Sequence, residues 1–186
     1  LTKRNTPSVL NMSNRPYFFW DGRAASLEEQ ALMPIANPDE MGLPIKEAVV
    51  RLNTNVAYKN LFIKIFGQSP NAKNLGLALA AFEKTLETGQ SKFDLSFDNK
   101  ATLTEQEERG RQLFVSDKAK CFDCHRGDDF TNDDFKNIGL YNGEDLNDKG
   151  RYSISKDTTD IGKFKTPGLR NVAITAPYMH DGRFKT

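Results

Sequence analysis

Apolar residues recur along the chain at helical rather than alternating spacing. Ser26 and Glu29 set a capping box ahead of Leu27, Ala31 and Leu32, and Pro34 and Pro38 should end that helix. Residues 37–42 read as a loop carrying Glu40 and Met41. A short helix is predicted over 45–52 and another over 56–66, stopped by Gly67. A longer one is predicted over 72–87, with Leu75, Leu79, Phe82 and Leu86 on one face and Gly89 as its stop. Residues 90–102 are polar and read as a linker. Thr104 and Glu107 form a second capping box, and their helix runs through Gly110, Leu113 and Phe114 towards residue 121. Before the first helix, the Pro, Asn and Gly content of residues 6–23 reads as an ordered loop with inward-facing aromatics. After residue 125 the chain is loop-rich, and Asp128, Asp129, Asp133 and Asp134 read as a solvated loop. No strand pattern stands out. The expected class is all-α, with helices joined by long ordered loops.

Composition narrows the role. The 186 residues suffice for one ordinary domain or two small ones, and 38% apolar with 10% aromatic residues can build a core. A net charge of +1 argues against nucleic-acid or membrane-surface binding driven by bulk charge. No apolar run is long enough to span a bilayer. The chain starts at Leu1 without a signal peptide, and is expected to be a mature or trimmed form.

The chemistry centres on Cys121-Phe122-Asp123-Cys124-His125. Cys-x-x-Cys-His is the attachment pattern of c-type haem. Two thiols on one turn can both add to the haem vinyl groups, and the histidine that follows can reach the iron. These are the only cysteines. A zinc site would need a second ligand pair, and the only other histidine is His180. A redox dithiol would need a strand-then-helix setting that the pattern does not offer. Because covalent haem is attached outside the cytoplasm, the periplasm is the expected location.

A repeat runs through both ends of the chain. Thr6-Pro7, Asn11 and Asp21-Gly22-Arg23 recur as Thr166-Pro167, Asn171 and Asp181-Gly182-Arg183 at equal spacings. Pro16-Tyr17 aligns with Pro177-Tyr178 after a one-residue shift, and Trp20 falls opposite His180. Duplication explains so many shared positions. It implies two tandem cytochrome c-like domains, 1–95 and 96–186, each incomplete, with a first haem motif expected before Leu1.

The motifs Arg4-Asn5-Thr6-Pro7-Ser8, Phe19-Trp20-Asp21-Gly22-Arg23-Ala24, Leu27-Glu28-Glu29-Gln30-Ala31 and Glu40-Met41-Gly42 span the first half of the chain. Residues 164–171 and 176–182 carry two more. Together they resemble the bacterial di-haem cytochrome c peroxidases, a group that includes the MauG-like proteins. The resemblance implies that an N-terminal haem reduces hydrogen peroxide. A C-terminal haem, held by Cys121, Cys124 and His125, would receive electrons from a small donor, a c-type cytochrome or cupredoxin. It places Gln30 and Glu40 on the peroxide side and Trp20 between the haems. It also implies calcium bound by the Asn5 side chain and the Thr175 and Pro177 carbonyls, an oxygen set that suits that ion. The C-terminal haem's other axial ligand would be a methionine beyond the His-Asp-Gly motif, or a tyrosine in the MauG-like branch. A homodimer is compatible with this reading.

Apart from the resemblance, Glu40 reads as a solvated loop acid, although a carboxylate can take a peroxide proton and return it. Gln30 reads as a surface amide or a donor to peroxide. Trp20 reads as a packing anchor, which an electron relay must also be. His180 reads as a structural histidine. Met179 could ligate iron, yet its place in the repeat favours packing. Three functions compete: a peroxidase, a MauG-like enzyme that oxidises protein side chains, and a mono-haem electron carrier, which would have no need of Glu40 with Gln30.

Overall fold

In the computed structural model, which describes residues 3–186, most of the helices begin where a polar side chain accepts one of the first free N–H groups. Helix α1 (Leu27–Gln30) is started by Ser26, which accepts from the Glu29 N–H at 3.1 Å. The Glu29 carboxylate reaches back to Ala25 N–H rather than to the cap itself. Pro34 does not end this segment. It lies in the first turn of α2 (Met33–Ala36), where its missing N–H leaves no intrahelical bond unmade. Next come α3 (Ile45–Thr54) and α4 (Val56–Phe66). Asn55 caps α4, and Gly67 closes it at φ 70°.

Helix α5 (Ala72–Glu83) opens with a reciprocal box between Asn71 and Asn74. It stops short of residue 87 because Asn11 draws the chain away. The Asn11 backbone N–H donates to Leu86 O at 3.0 Å, and its side-chain amide donates to Thr88 O at 2.8 Å. Phe82 faces solvent; the buried face carries Leu75, Gly76 and Ala80. A Cβ on Gly76 would lie 2.7 Å from Glu28 O, so glycine permits the close crossing of α1 and α5. Phe18, Ala24, Leu27 and Ala80 form the core there, edged by Met12, Phe19 and Met33. Each large side chain so buried contributes roughly 1.5–3 kcal/mol.

The polar stretch 90–102 is not a plain linker. Ser91 and Asp94 form a capping box that starts α6 (Lys92–Phe97). Thr104 and Glu107 start α7 (Glu105–Phe114) as predicted. A 3-10 turn at Cys121–Asp123 follows, then β1 (Phe135–Lys136), α8 (Tyr152–Ser155) and β2 (Phe164–Lys165), with β1 antiparallel to β2. The fold is helical with little strand. Among the described residues no helix is long and apolar enough to cross a membrane.

The acidic loop is not simply solvated. Asp129 accepts from Asn11, Arg15 and Arg170, and Asp133 accepts from Arg15 and Lys165. Arg170 also grips Asp94 with two bonds of 2.8 and 2.9 Å. Paired in this way, the carboxylates tie α6, the N-terminal segment and the post-121 loop together. Burial lowers the Lys165 pKa, and Asp133 partly opposes that shift.

The repeat is written into the backbone. Asn11, Phe19 and Gly22 have positive φ, and so do Asn171, Met179 and Gly182. Phe18 N–H donates to Ala24 O at 3.0 Å, and Tyr178 N–H donates to Phe184 O at 2.7 Å. Tyr178 therefore corresponds to Phe18 rather than to Tyr17, and no shift is needed. Each Asp-Gly-Arg turn closes with its own Asp–Arg pair. The copies also exchange bonds: Asn5 N–H donates to His180 O at 2.7 Å, and Lys165 N–H donates to Trp20 O at 2.8 Å. Equivalent positions thus swap partners, as across a two-fold axis.

Candidate functional site

The turn at residues 121–125 is held in a single conformation. His125 N–H donates to Cys121 O at 2.9 Å, which stacks the histidine over the first cysteine. Asn132 N–H donates to Cys124 O at 2.9 Å and ties the following loop down. His125 Nδ1 lies 2.9 Å from Phe130 O. A carbonyl can only accept, so Nδ1 carries the proton and Nε2 keeps its lone pair for a metal. Both thiols are unpaired and partly exposed. A c-type haem fits this donor set: two free thiols on one turn, with an imidazole whose tautomer is already set. An apolar cleft of about 780 Å³ adjoins the turn, lined by Phe93, Phe97, Phe114, Phe122 and Phe130 among others. Of the motif, Phe122 stands in its wall, whereas Cys121, Cys124 and His125 do not.

A second cavity of about 1130 Å³ gathers Trp20, Gln30 and Glu40, three residues that the sequence places apart. Each is delivered by a different device. Trp20 is anchored when its indole N–H donates to Asn5 O at 2.8 Å. Gln30 ends α1. Glu40 rides the loop after α2, whose geometry Asn37 sets. Asn37 O accepts from Glu40 N–H at 3.0 Å and from Gly42 N–H at 2.8 Å, and its amide donates to Glu40 Oε1 at 3.2 Å. The Glu40 carboxylate is exposed.

Other residues of this wall carry no site role in the sequence reading: Glu83, Asn37 and Arg4, with His180 expected only as a structural histidine. Glu83, on α5, lines it, and burial raises its pKa. His180 lines it too, stacked on Phe164 at 3.7 Å, with burial lowering its pKa. That stack fits the structural role expected for this histidine. Arg4 bridges Asp21 at 2.6 Å and Asp148 at 2.6 and 2.8 Å. Burial works against its charge, but the two carboxylates outweigh it and raise the Arg4 pKa. Asn37 had a signal, an Asn-Pro pair opening a loop. Arg4 had none, because Asp148 is remote in the chain.

Asn5 and Pro177 also meet: the Asn5 amide donates to Pro177 O at 2.7 Å. Thr175 is exposed two residues before, with no described bond to either. Turning the amide would set two oxygens side by side, which is compatible with an oxygen-ligated cation. Among the described residues no cluster of three or more His, Cys, Asp or Glu forms a metal site.

Residues 1–102 match the family model for di-haem cytochrome c peroxidase. The chain is 41% identical over 183 residues to methylamine utilization protein MauG of Methylorubrum extorquens, covering 97% of this chain and 51% of that one. It is 40% identical over 190 residues to cytochrome c peroxidase Ccp of Escherichia coli, covering 98% and 40%. The chain thus spans about half the length, or less, of these relatives. A solved MauG-like protein associated with microbial copper homeostasis superposes with a TM-score of 0.89 at 32% identity, over 100% of this chain and 60% of that one. The di-haem peroxidase BthA of Burkholderia thailandensis superposes at 0.82 with 26% identity, over 100% and 55%.

Proposed function

The chain belongs to the di-haem cytochrome c peroxidase family, and from that premise we propose that the full protein reduces hydrogen peroxide to water with electrons from a small donor protein. The observation that carries this reading is the meeting of Trp20, Gln30 and Glu40 in one cavity. A bound haem supplies the electron transfer and the redox chemistry of O–O cleavage. The chain supplies the rest. Cys121 and Cys124 would hold the C-terminal haem, and His125, with Nδ1–H engaged by Phe130 O, would have Nε2 free for its iron. Glu40 takes a proton from one peroxide oxygen and returns it to the other, and its exposed carboxylate keeps it in exchange with water. Gln30 orients peroxide by donating from its amide. Trp20, packed against Asn5, lies between the two halves.

The division into domains 1–95 and 96–186 belongs to this proposal. The swapped Asn5–His180 and Lys165–Trp20 bonds support it. Two further parts belong to the proposal: a calcium ion held by Asn5, Thr175 and Pro177 that would staple the halves, and a periplasmic location with a cytochrome or cupredoxin donor. The 41% identity to a MauG protein favours a second reading, oxidation of protein side chains. The residue that would complete the ligation of the C-terminal haem would distinguish them, a methionine for the peroxidase and a tyrosine for the other.

The test is Glu40→Gln in the full-length holoprotein. Side-chain size and hydrogen bonding remain, but the proton shuttle is lost. Peroxide turnover should fall by about 10²–10⁴-fold while reduction of the C-terminal haem by its donor is unchanged. Gln30→Ala should cost less. Normal turnover in the Glu40→Gln variant would remove Glu40 from the mechanism.

A further inference from the structure

The histidine of the attachment turn is positioned from a distance. Its Nδ1–H donates to the Phe130 carbonyl at 2.9 Å, so that carbonyl's direction sets the strength of the bond. Phe130 has φ 55°, a left-handed conformation that a bulky aromatic residue adopts only when its surroundings enforce it. The enforcement comes from three sides. The ring packs at 5.6 Å from Phe93 and 6.4 Å from Phe114, with the Arg170 guanidinium 5.5 Å from its centre. On one flank Asp129 receives the Arg170 Nε–H at 3.0 Å, and its carbonyl receives Leu169 N–H at 3.2 Å. On the other flank the buried Thr131 hydroxyl donates to Thr166 O at 2.7 Å. Arg170 is in turn fixed by its two bonds to Asp94 on α6.

We infer that Arg170 is a positioning residue for His125: by bridging Asp94, Asp129 and the Phe130 ring, it holds the Phe130 carbonyl on the Nδ1–H. It thereby sets the donor strength of the imidazole that faces the iron. The inference rests on haem attachment at Cys121 and Cys124. A firm Nδ1–H···O bond makes the imidazole more basic and favours the oxidised metal. Loosening it favours the reduced one, and the reduction potential of that haem rises.

The experiment uses full-length holoprotein, with haem attachment verified by mass on every sample before potentiometric titration of the C-terminal haem. In Arg170→Gln the reduction equilibrium should shift towards ferrous by roughly three- to tenfold, tenfold being about 59 mV for one electron. Arg170→Lys keeps the charge but cannot span Asp94 and Asp129 together, and should shift it part of the way. Gly76→Ala strains the remote α1–α5 crossing and is the control for simple loss of stability; its potential should match the wild type. If Arg170→Gln does not mature, Asp94→Asn, which releases one end of the bridge, should shift in the same direction. A haem-loaded Arg170→Gln or Asp94→Asn protein with unchanged potential overturns the inference, as does an equal shift in Gly76→Ala. Wild-type protein without attached haem would instead overturn the reading beneath it.

Discussion

The two Asp-Gly-Arg turns share a backbone and differ in everything around it. In the first, Asp21 is only 4% exposed and receives Arg4 as well as Arg23; in the second, Asp181 has its neighbour Arg183 as its described ion-pair partner and stays near the surface. In the first, Gly22 lies under Phe135 and Arg151, and Arg151 donates to Asp21 O and Gly22 O at 3.0 and 2.9 Å. In the second, the nearest neighbours of a Cβ at Gly182 would be Pro177 and Asn5, at ordinary or slightly tight distances. The turn geometry is local, fixed by a positive-φ residue and a glycine. Its energetic weight comes from what was later packed against it. The residue before each aspartate, Trp20 or His180, makes its exchange bond with the other copy through its backbone carbonyl, so the two side chains can differ without changing that bond.

That contrast can be broken most sharply at the aspartates. Asp21→Ala strips a buried partner from Arg4 and Arg23 and should destabilise by about 3 kcal/mol, whereas Asp181→Ala should cost about 1 kcal/mol or less. Equal losses in denaturant melts would mean that the Arg4 bridge adds nothing. The glycines come next. A Cβ at Gly22 would lie 2.4 Å from the Phe135 ring and 2.8 Å from Arg151, and at Gly182 3.3 Å from Pro177. Both alanines carry a left-handed strain of roughly 1–2 kcal/mol. Gly22→Ala should lose clearly more, read as a difference in Tm.

Acid sharpens the comparison in a different way. Burial alone would raise the Asp148 pKa, but Arg4 and the Gly150 N–H outweigh it and leave it lowered. Asp181 is lowered chiefly by Arg183. A carboxylate with a depressed folded pKa contributes its stability above the unfolded value. That contribution is lost as pH falls through the folded one. Stability should therefore decline below about pH 4, and Asp148→Asn should flatten that decline more than Asp181→Asn. A comparably small effect is expected at Trp20→Phe, which keeps an aromatic ring but loses the indole donor to Asn5 O, about 1 kcal/mol.

Local signals were legible and remote ones were not. Helix α4 could be bounded because Asn55 and Gly67 are both adjacent to it. Helix α6 was hidden because Phe93, Leu95 and Phe97 alternate with polar residues over a short span and show no helical stripe, although Ser91 and Asp94 carried the same cap signature that revealed α7. The extent of α5 could not be foreseen, since Asn11 is what ends it. Asp129 and Asp133 read as solvated because Arg15, Lys165 and Arg170 lie far away in the chain. At the site, the Cys-x-x-Cys-His spacing was visible as chemistry, whereas the cavity that joins Trp20, Gln30 and Glu40 exists only once the chain is folded.

The turn at Cys121, Cys124 and His125 has the donor set to carry a covalent haem. Peptide mass mapping of full-length protein matured with haem-attachment machinery tests it most directly. The peptide spanning Cys121 and Cys124 should carry one haem through both sulfurs. Recovery of that peptide with two unmodified thiols, from cells that load haem onto other c-type cytochromes, would contradict it.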